Sequence, residues 1–217
     1  MFTKRLSVCV MVCLCAGFVG SAFADDLVPP RNWQRGDPGT TYQQWEFYTD
    51  ASQNVPPDSV DNLYGDPYAT VYYLGTVPPW ANQWHYNEEE DLGRGVWYPD
   101  FIELYIPNTP DPNELKIIWL QITFHVGELG SDDPVLTTYP SMTSQPELIS
   151  MQSLDDYWWH GTYEIMIEPN PEAETIKIDA PECMIYIDEI VVDTLCTPEP
   201  GTALLLLPIA FFLRRRR

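Results

Sequence analysis

Apolar and polar residues alternate along much of the chain, and this alternation predicts strands. In residues 42–49, Trp45 and Phe47 fall on one face while Gln44 and Glu46 fall on the other, which is the two-residue period of a half-buried strand. The same pattern predicts strands over residues 68–74, 101–106, 115–126, 162–168, 174–179 and 184–192, and a weaker form of it marks residues 147–154.

Proline-rich segments such as residues 107–113 and 168–171 separate the predicted strands, and no stretch carries a sustained helical stripe. About eight strands bury their apolar faces best when they form two sheets that stack face to face. The pattern therefore predicts an all-β fold, a single antiparallel β-sandwich of the jelly-roll type. Residues 25–67 are richer in Pro, Asn and Gly, so we expect a long lead-in with one good strand rather than a separate domain.

The first residues have the three parts of a secretory signal peptide. Lys4 and Arg5 form a charged start, residues 6–20 are mostly apolar, and Ala22, Phe23 and Ala24 form a small-x-small cleavage site. The alternative is an uncleaved anchor, but the apolar run is short for a membrane span. We expect the Sec machinery to export the chain, residues 1–24 to be removed, and the mature chain to begin near Asp25. One domain over residues 25–197 then remains before the C-terminal tail.

Three further parts follow one another at the C terminus. The first is a polar motif of Pro198, Glu199, Pro200 and Gly201. Residues 202–213 form an apolar run, and the chain ends in a basic cluster of Arg214, Arg215, Arg216 and Arg217. As a helix, residues 201–213 would reach about 20 Å, against about 30 Å for a hydrocarbon core, so we expect a short membrane helix that is a marginal span. The arginines would stay in the cytoplasm and the domain would lie on the other side. The alternative, a buried core helix with a basic tip, fits four like charges poorly.

This tail resembles the PEP-CTERM family of bacterial sorting signals, in which a Pro-Glu-Pro motif, a hydrophobic helix and a basic cluster occur in this order. The resemblance covers only the C-terminal part of the chain. It implies recognition by an exosortase, a membrane-embedded cysteine transpeptidase, after transient anchoring in the inner membrane. It also implies a destination in the cell envelope, at the outer surface or in an exopolysaccharide matrix.

Acidic residues dominate the predicted domain. Residues 25–197 contain 31 Asp and Glu against five basic residues, a net charge of −26; the basic residues are Arg31, Arg35, Arg94, Lys116 and Lys177. Such a surface repels nucleic acid and anionic lipid, and it suits an exterior where salt or divalent cations screen the charge. The many Trp, Tyr, Ile and Val residues argue for a packed domain rather than disorder.

The cysteines divide between the signal peptide and the last predicted strand. Cys9, Cys13 and Cys15 would leave with the signal peptide, so only Cys183 and Cys196 remain. An exported pair favours a disulfide. A strand over residues 184–193 would extend about 33 Å, however, which separates the two Cα atoms by far more than the ~7 Å that a disulfide allows. We expect free or buried thiols, unless a bulge or a sharp return brings the pair together.

Catalytic motifs are absent from the sequence. His85, His125 and His160 are far apart, and there is no Gly-x-Ser-x-Gly, His-Glu-x-x-His or glycine-rich phosphate loop. Paired carboxylates could serve a glycosidase, but with this many acids chance proximity is almost assured. We predict that the protein is not an enzyme, and an exported hydrolase is the weakest of three alternatives.

Two aromatic groups are candidates for glycan contact. Trp80 and Trp84 precede the acidic run at residues 88–91, and Trp158 and Trp159 are adjacent in the chain, so that one indole should be exposed if they lie on a strand. Aromatic faces stack on sugar rings, but indoles more often pack in a core. A carbohydrate-binding module therefore remains the alternative to a structural or interaction protein.

Calcium is the one cofactor that the sequence leaves open. Residues 187–190, Ile-Asp-Glu-Ile, resemble the closing strand of jelly-roll modules that bind a structural calcium. Oxygen ligands are plentiful, but no Asp-x-Asp-x-Asp-Gly loop is present, and the acidic run at residues 88–91 is more often a solvated loop. No metal ligands are therefore assigned.

Overall fold

The alternating pattern forms strands throughout the part of the chain that a computed structural model describes, which comprises residues 26–72, 85–86, 95–97, 99–109, 115–126, 133–154, 156–180 and 185–197. In chain order the strands are β1 (Thr40–Trp45), β2 (Ser59–Asp61), β3 (Tyr68–Tyr72), β4 (His85–Tyr86), β5 (Gly95–Val96), β6 (Phe101–Pro107), β7 (Leu115–Val126), β8 (Val135–Tyr139), β9 (Glu147–Ser153), β10 (Trp158–Ile167), β11 (Ala173–Asp179) and β12 (Ile185–Thr197). These residues contain no helix, which confirms the all-β prediction.

Ten of these strands form two antiparallel sheets, which stack as a sandwich. The six-stranded sheet has the order β2-β1-β12-β7-β10-β9, and the four-stranded sheet has the order β3-β6-β11-β8. Strands β4 and β5 pair separately. The buried core draws on both sheets, with Ile118 and Leu120 from β7 facing Ile102 and Leu104 of β6 and Ile176 of β11 in one cluster. The predicted antiparallel β-sandwich is therefore confirmed.

The two longest strands lie side by side at the centre of the six-stranded sheet. β7 has the predicted bounds, and its apolar face of Ile118, Leu120, Ile122 and Phe124 is fully buried. β12 pairs with β7 on one side and with β1 on the other, and a β-bulge interrupts it between Ile187 and Glu189. The closing strand of the chain is thus an internal strand of the sheet.

Several strand boundaries differ from the prediction. β12 continues to Thr197 instead of ending at residue 192, and β10 begins at Trp158 instead of residue 162. β2, β4, β5 and β8 were not predicted. The missed ends of β10 and β12 carry His160 and Asp193, whose burial depends on partners distant in the sequence. The residues of β8 are mostly exposed and do not alternate between apolar and polar, so no local pattern marks them as a strand.

The lead-in packs on the outer face of the six-stranded sheet. The Val28 amide donates to Gln121 Oε1 at 2.9 Å, and the Trp119 indole donates to the Val28 carbonyl at 2.7 Å. Both faces of this sheet are therefore buried near its centre.

Gln44 does face away from Trp45 as predicted, yet it is buried as well, so β1 is not the half-buried strand that the alternation indicates.

Cys196 is a free, buried thiol near the end of β12, as predicted. The long strand that precedes it agrees with the geometric argument against a disulfide. Cys183 lies outside the described residues.

Candidate functional site

Most of the predicted site residues lie outside the described part of the chain. They are Ala22, Ala24, Asp25, Trp80, Trp84, the motif Pro198, Glu199, Pro200 and Gly201, and the cluster Arg214, Arg215, Arg216 and Arg217. Among the residues that the structure does describe, no helix is long and apolar enough to cross a membrane. The terminal signals therefore stay predictions from the sequence.

Trp158 and Trp159 point to opposite sides of β10, as their adjacency predicts. Trp158 is 9% exposed and lies edge-on to His125 of the neighbouring strand, with ring centroids 5.2 Å apart. Trp159 is half-buried and packs against the core. The expectation of one exposed indole is therefore not met, and only Trp159 has surface left for a ligand.

The other described tryptophans are core residues. Trp33, Trp45, Trp97 and Trp119 are all buried. Trp45 also donates its indole N–H to the Val55 carbonyl at 3.0 Å, which satisfies its polar atom inside the core. Indole burial thus accounts for these side chains without a ligand.

A different group of aromatic side chains reaches the surface, on the outer face of the four-stranded sheet. Tyr68 of β3 stacks on Tyr105 of β6 with centroids 5.0 Å apart, and Tyr72 stacks on Phe101 at 4.5 Å. Tyr139 of β8 lies in the same cross-strand row as Tyr105 and is 79% exposed. We call these five residues the aromatic face.

Charged and small polar side chains line the middle of the aromatic face. Lys177 of β11 lies 4.2 Å from the Phe101 ring centre and pairs with Asp179 at 2.5 Å. Thr175 stands between Tyr105 and Tyr139 in the register, so these two tyrosines are two strand spacings, or about 10 Å, apart at their Cα atoms.

The sequence contained a signal for the aromatic face. The predicted strands at residues 68–74 and 101–106 place Tyr68 and Tyr72 on one face, and likewise Phe101 and Tyr105. What the sequence alone does not show is that β3 and β6 are neighbours and that these two faces lie side by side.

On the other side of the sandwich, Arg35 fastens the lead-in to the sheet. Arg35 Nε and Nη2 donate to the two carboxylate oxygens of Asp193 at 2.5 and 2.7 Å, and Arg35 Nη1 donates to Asp26 at 2.5 Å. The guanidinium also lies 3.8 Å from the Tyr42 ring centre. One cation thus joins the lead-in to both β12 and β1.

A chain of polar groups continues from the lead-in across the outer face of the six-stranded sheet. Asp26 accepts from Gln121 Nε2 at 2.8 Å, and Gln121 Oε1 lies 3.1 Å from His160 Nε2. His160 Nδ1 lies 3.0 Å from Thr123 Oγ1. Because His160 is buried and each ring nitrogen has a hydrogen-bonding neighbour, its role is that of a satisfied core histidine.

Burial changes the acidity of the groups around Arg35. It raises the pKa of Tyr42 to about 12, and it raises the pKa of Asp193 although Arg35 opposes that rise. For Arg35 itself burial acts in the lowering direction, but hydrogen bonds and attraction from Asp193 and Asp26 outweigh it and raise the pKa. The guanidinium therefore stays charged.

A second buried polar cluster lies between the two sheets. Lys116 of β7 is 0% exposed, and its ammonium lies 3.6 Å from Glu174 Oε1 on β11. The ammonium also donates to Thr194 Oγ1 at 2.8 Å and to Asn108 Oδ1. Cys196 Sγ lies 3.5 Å from it. Burial raises the pKa of Glu174 and of the Cys196 thiol, and Lys116 opposes both shifts. Because solvent is excluded from Lys116 and Glu174, we assign the cluster to cross-linking the sheets.

The residues that suggested calcium lie at the β-bulge of β12. Asp188 and Glu189 are both buried there, and Gln44 donates to Glu189 Oε1 at 2.5 Å. Within the described ranges no group of three or more His, Cys, Asp or Glu side chains is arranged to hold a metal ion. The acidic run at residues 88–91 lies outside those ranges.

Comparisons with protein-family models, with curated proteins and with solved structures give no match for this chain.

Proposed function

We propose that this chain is an exported structural or interaction protein, directed to the cell surface or the extracellular matrix by a PEP-CTERM sorting signal. The observation that carries the proposal is the three-part tail, with its motif, apolar run and arginine cluster in fixed order at the C terminus. A signal peptide at the other end supports it, because a sorting signal of this kind acts only on exported cargo. Partners are then the Sec machinery and an exosortase.

The position of the motif supports a role in processing. β12 ends at Thr197, so Pro198 follows directly after the last strand of the domain. Pro198 and Pro200 disfavour both regular helix and ladder pairing around Glu199, so we expect this segment to be extended and accessible to a transpeptidase. The apolar run would set its depth, and the arginines its direction, since moving even one guanidinium into the bilayer costs several kcal/mol.

The test is to replace Pro198, Glu199 and Pro200 by alanine and to follow a tagged domain in a host that encodes an exosortase. The variant should still insert into the membrane but should no longer be released or transferred. Replacing residues 214–217 is the comparison, because it should instead weaken retention and orientation. Processing of the alanine variant at the normal rate would contradict a sorting role for the motif.

For the fold we propose a jelly roll. The support is the order β1-β12-β7-β10 in one sheet facing β6-β11-β8 in the other, in which the closing strand lies between the first strand and a middle one. β2, β3 and β9 would then be additions at the sheet edges.

A carbohydrate-binding module with the same anchor is the second candidate, and the aromatic face is the observation that favours it. Tyrosine rings stack on the apolar faces of sugars, and Glu103, Lys177 and Asp179 offer hydrogen-bonding groups beside them. These three side chains carry a net charge of only −1, which favours a neutral glycan. A glycan array with residues 25–197 separates this candidate from a purely structural role.

A further inference from the structure

The four edges of the two sheets are protected to different degrees. An unpaired edge strand offers free backbone groups to another chain, and proteins usually shorten, charge, bulge or cover it. β2 is three residues long and ends in Asp61, while β9 begins with Glu147 and has a bulge in its pairing with β10. β3 is covered, because Val55 pairs with Ala69 and the Val71 amide donates to the Ser52 carbonyl. Among the described residues, β8 has no charge, no bulge and no covering segment, and Pro134 and Pro140 lie just outside its two ends.

The residues of β8 make it an open edge. Val135, Leu136, Thr137, Thr138 and Tyr139 contain no charge and no proline, in a domain whose net charge is −26. Val135 is 50% exposed and Tyr139 is 79% exposed, and Thr137 between them is exposed too. Within the described residues, the backbone of β8 bonds only to β11.

The order of side chains along β8 is self-complementary. If two copies pair antiparallel about Thr137, Val135 of one lies opposite Tyr139 of the other, and the two Thr137 residues face each other. Aromatic residues beside β-branched ones, and threonine beside threonine, are favourable cross-strand pairs. Along the chain the nearest charged residue is Asp133, which would stand opposite Ser141 rather than an acid.

We propose that β8 docks against β8 of a second copy of this chain, which joins two four-stranded sheets into one eight-stranded sheet. This pairing goes beyond the proposed function because it names the partner, a second copy of the chain. It rests on that function only for the assumption that copies are dense at a surface or in a matrix. A five-residue edge is a small interface, so pairing of two free molecules is weak. It strengthens with salt, which screens the acidic domains, and with local density.

Disulfide trapping of the full chain in an exosortase-encoding host tests this pairing. Thr137→Cys places two thiols on the symmetry axis, where paired residues have Cα atoms about 4.5–5.5 Å apart, within the range of a disulfide. Under mild oxidation it should form a covalent dimer. The Val135→Cys chain should not form a covalent dimer with itself, because residue 135 lies opposite Tyr139 of the other copy. Coexpressed Val135→Cys and Tyr139→Cys chains should cross-link to each other. The unmodified chain gives the background from Cys183 and Cys196.

Three results would overturn the pairing: no dimer from Thr137→Cys, equal cross-linking by Val135→Cys alone, or capture of a different protein at Thr137. A second measurement is sedimentation of the full chain in detergent at low and high salt. Association should rise with salt and be lost in Thr137→Lys, while Val60→Lys on β2 behaves like the unmodified chain. Tail processing is followed in the same cells, so that failed pairing with normal sorting removes only this inference.

Discussion

Arg35 and Asp193 form a doubly hydrogen-bonded ion pair, with N–O distances of 2.5 and 2.7 Å, although 158 residues separate them in the chain. Asp193 is fully buried, and the Arg35 side chain is 32% exposed. The pair connects the lead-in to the strand at the centre of the six-stranded sheet. The lead-in is therefore an integral part of the sandwich rather than a separate tether ahead of it.

The first prediction concerns this pair. Arg35→Ala leaves Asp193 buried without its cation, and removing one partner of a buried pair costs about 3–5 kcal/mol. Because Arg35 is partly exposed, we expect a loss near the lower end, about 3 kcal/mol, in urea unfolding of residues 25–197. Arg31→Ala is the control, since Arg31 only lies over Trp119 at 5.8 Å and should cost less than about 1 kcal/mol. Equal losses for both variants would contradict the role of Arg35.

The buried Lys116–Glu174 pair gives a second prediction. Lys116→Met isolates the Glu174 carboxylate in the core and should destabilise residues 25–197 by about 3–5 kcal/mol. Replacing both partners, Lys116→Met with Glu174→Leu, should restore most of that loss because no buried charge remains. Denaturant unfolding of the parent, single and double variants measures this. A double variant as unstable as the single one would show that the pair does not act as a unit.

Local periodicity was sufficient where a strand has one apolar face in the core. β7 has the bounds that were predicted, and β11 and β6 differ from prediction by one residue at one end. It failed at the ends of β10 and β12, where the apolar pattern stops but the strand continues. The last residues of β12 include Asp193, whose partner Arg35 is remote in sequence, so nothing local indicates that they continue the strand.

The candidate surfaces were harder to predict than the strands. Tyr105 and Tyr139 share a row only because both pair with Thr175 of β11, which is a property of strand order. Adjacent tryptophans gave a more conspicuous local signal, but Trp158 is almost fully buried. Surfaces assembled from several strands need the topology, which alternation within one strand does not contain.

Alkaline pH tests the burial of Tyr42. Its pKa is raised from 10.0 to about 12, so the folded state favours the protonated phenol. The stability that Tyr42 contributes is fully present below pH 10 and is lost as the pH rises towards 12. Urea unfolding at pH 8 and above pH 10 should therefore show a smaller alkaline loss for Tyr42→Phe than for the parent. Burial also raises the pKa of Tyr163, so only part of the loss should disappear.

The control for this experiment is Tyr139→Phe, which removes a hydroxyl from an exposed ring and should leave the pH dependence of the parent. An unchanged alkaline loss in Tyr42→Phe would show that Tyr42 titrates in the same range folded and unfolded.

If the carbohydrate-binding alternative is correct, the aromatic face is where glycans bind. Tyr139→Ala and Tyr105→Ala should each weaken binding of any neutral glycan found on an array by about tenfold, as expected for loss of one stacking contact of ~1–1.5 kcal/mol. Tyr48→Ala is the matched control, because Tyr48 is about half exposed and lies outside this face. Binding that survives both face substitutions would exclude the aromatic face as the glycan site.

The most direct test of the sorting account is the intact mass of the tagged protein isolated from a host that encodes an exosortase and from the same host lacking it. We expect both forms to lack residues 1–24 and to begin at or near Asp25. Only the exosortase host should remove the apolar run and residues 214–217, leaving a chain that ends at or near the Pro-Glu-Pro motif. Chains that keep the four arginines at steady state in both hosts would contradict the sorting signal and leave a plain membrane anchor in its place.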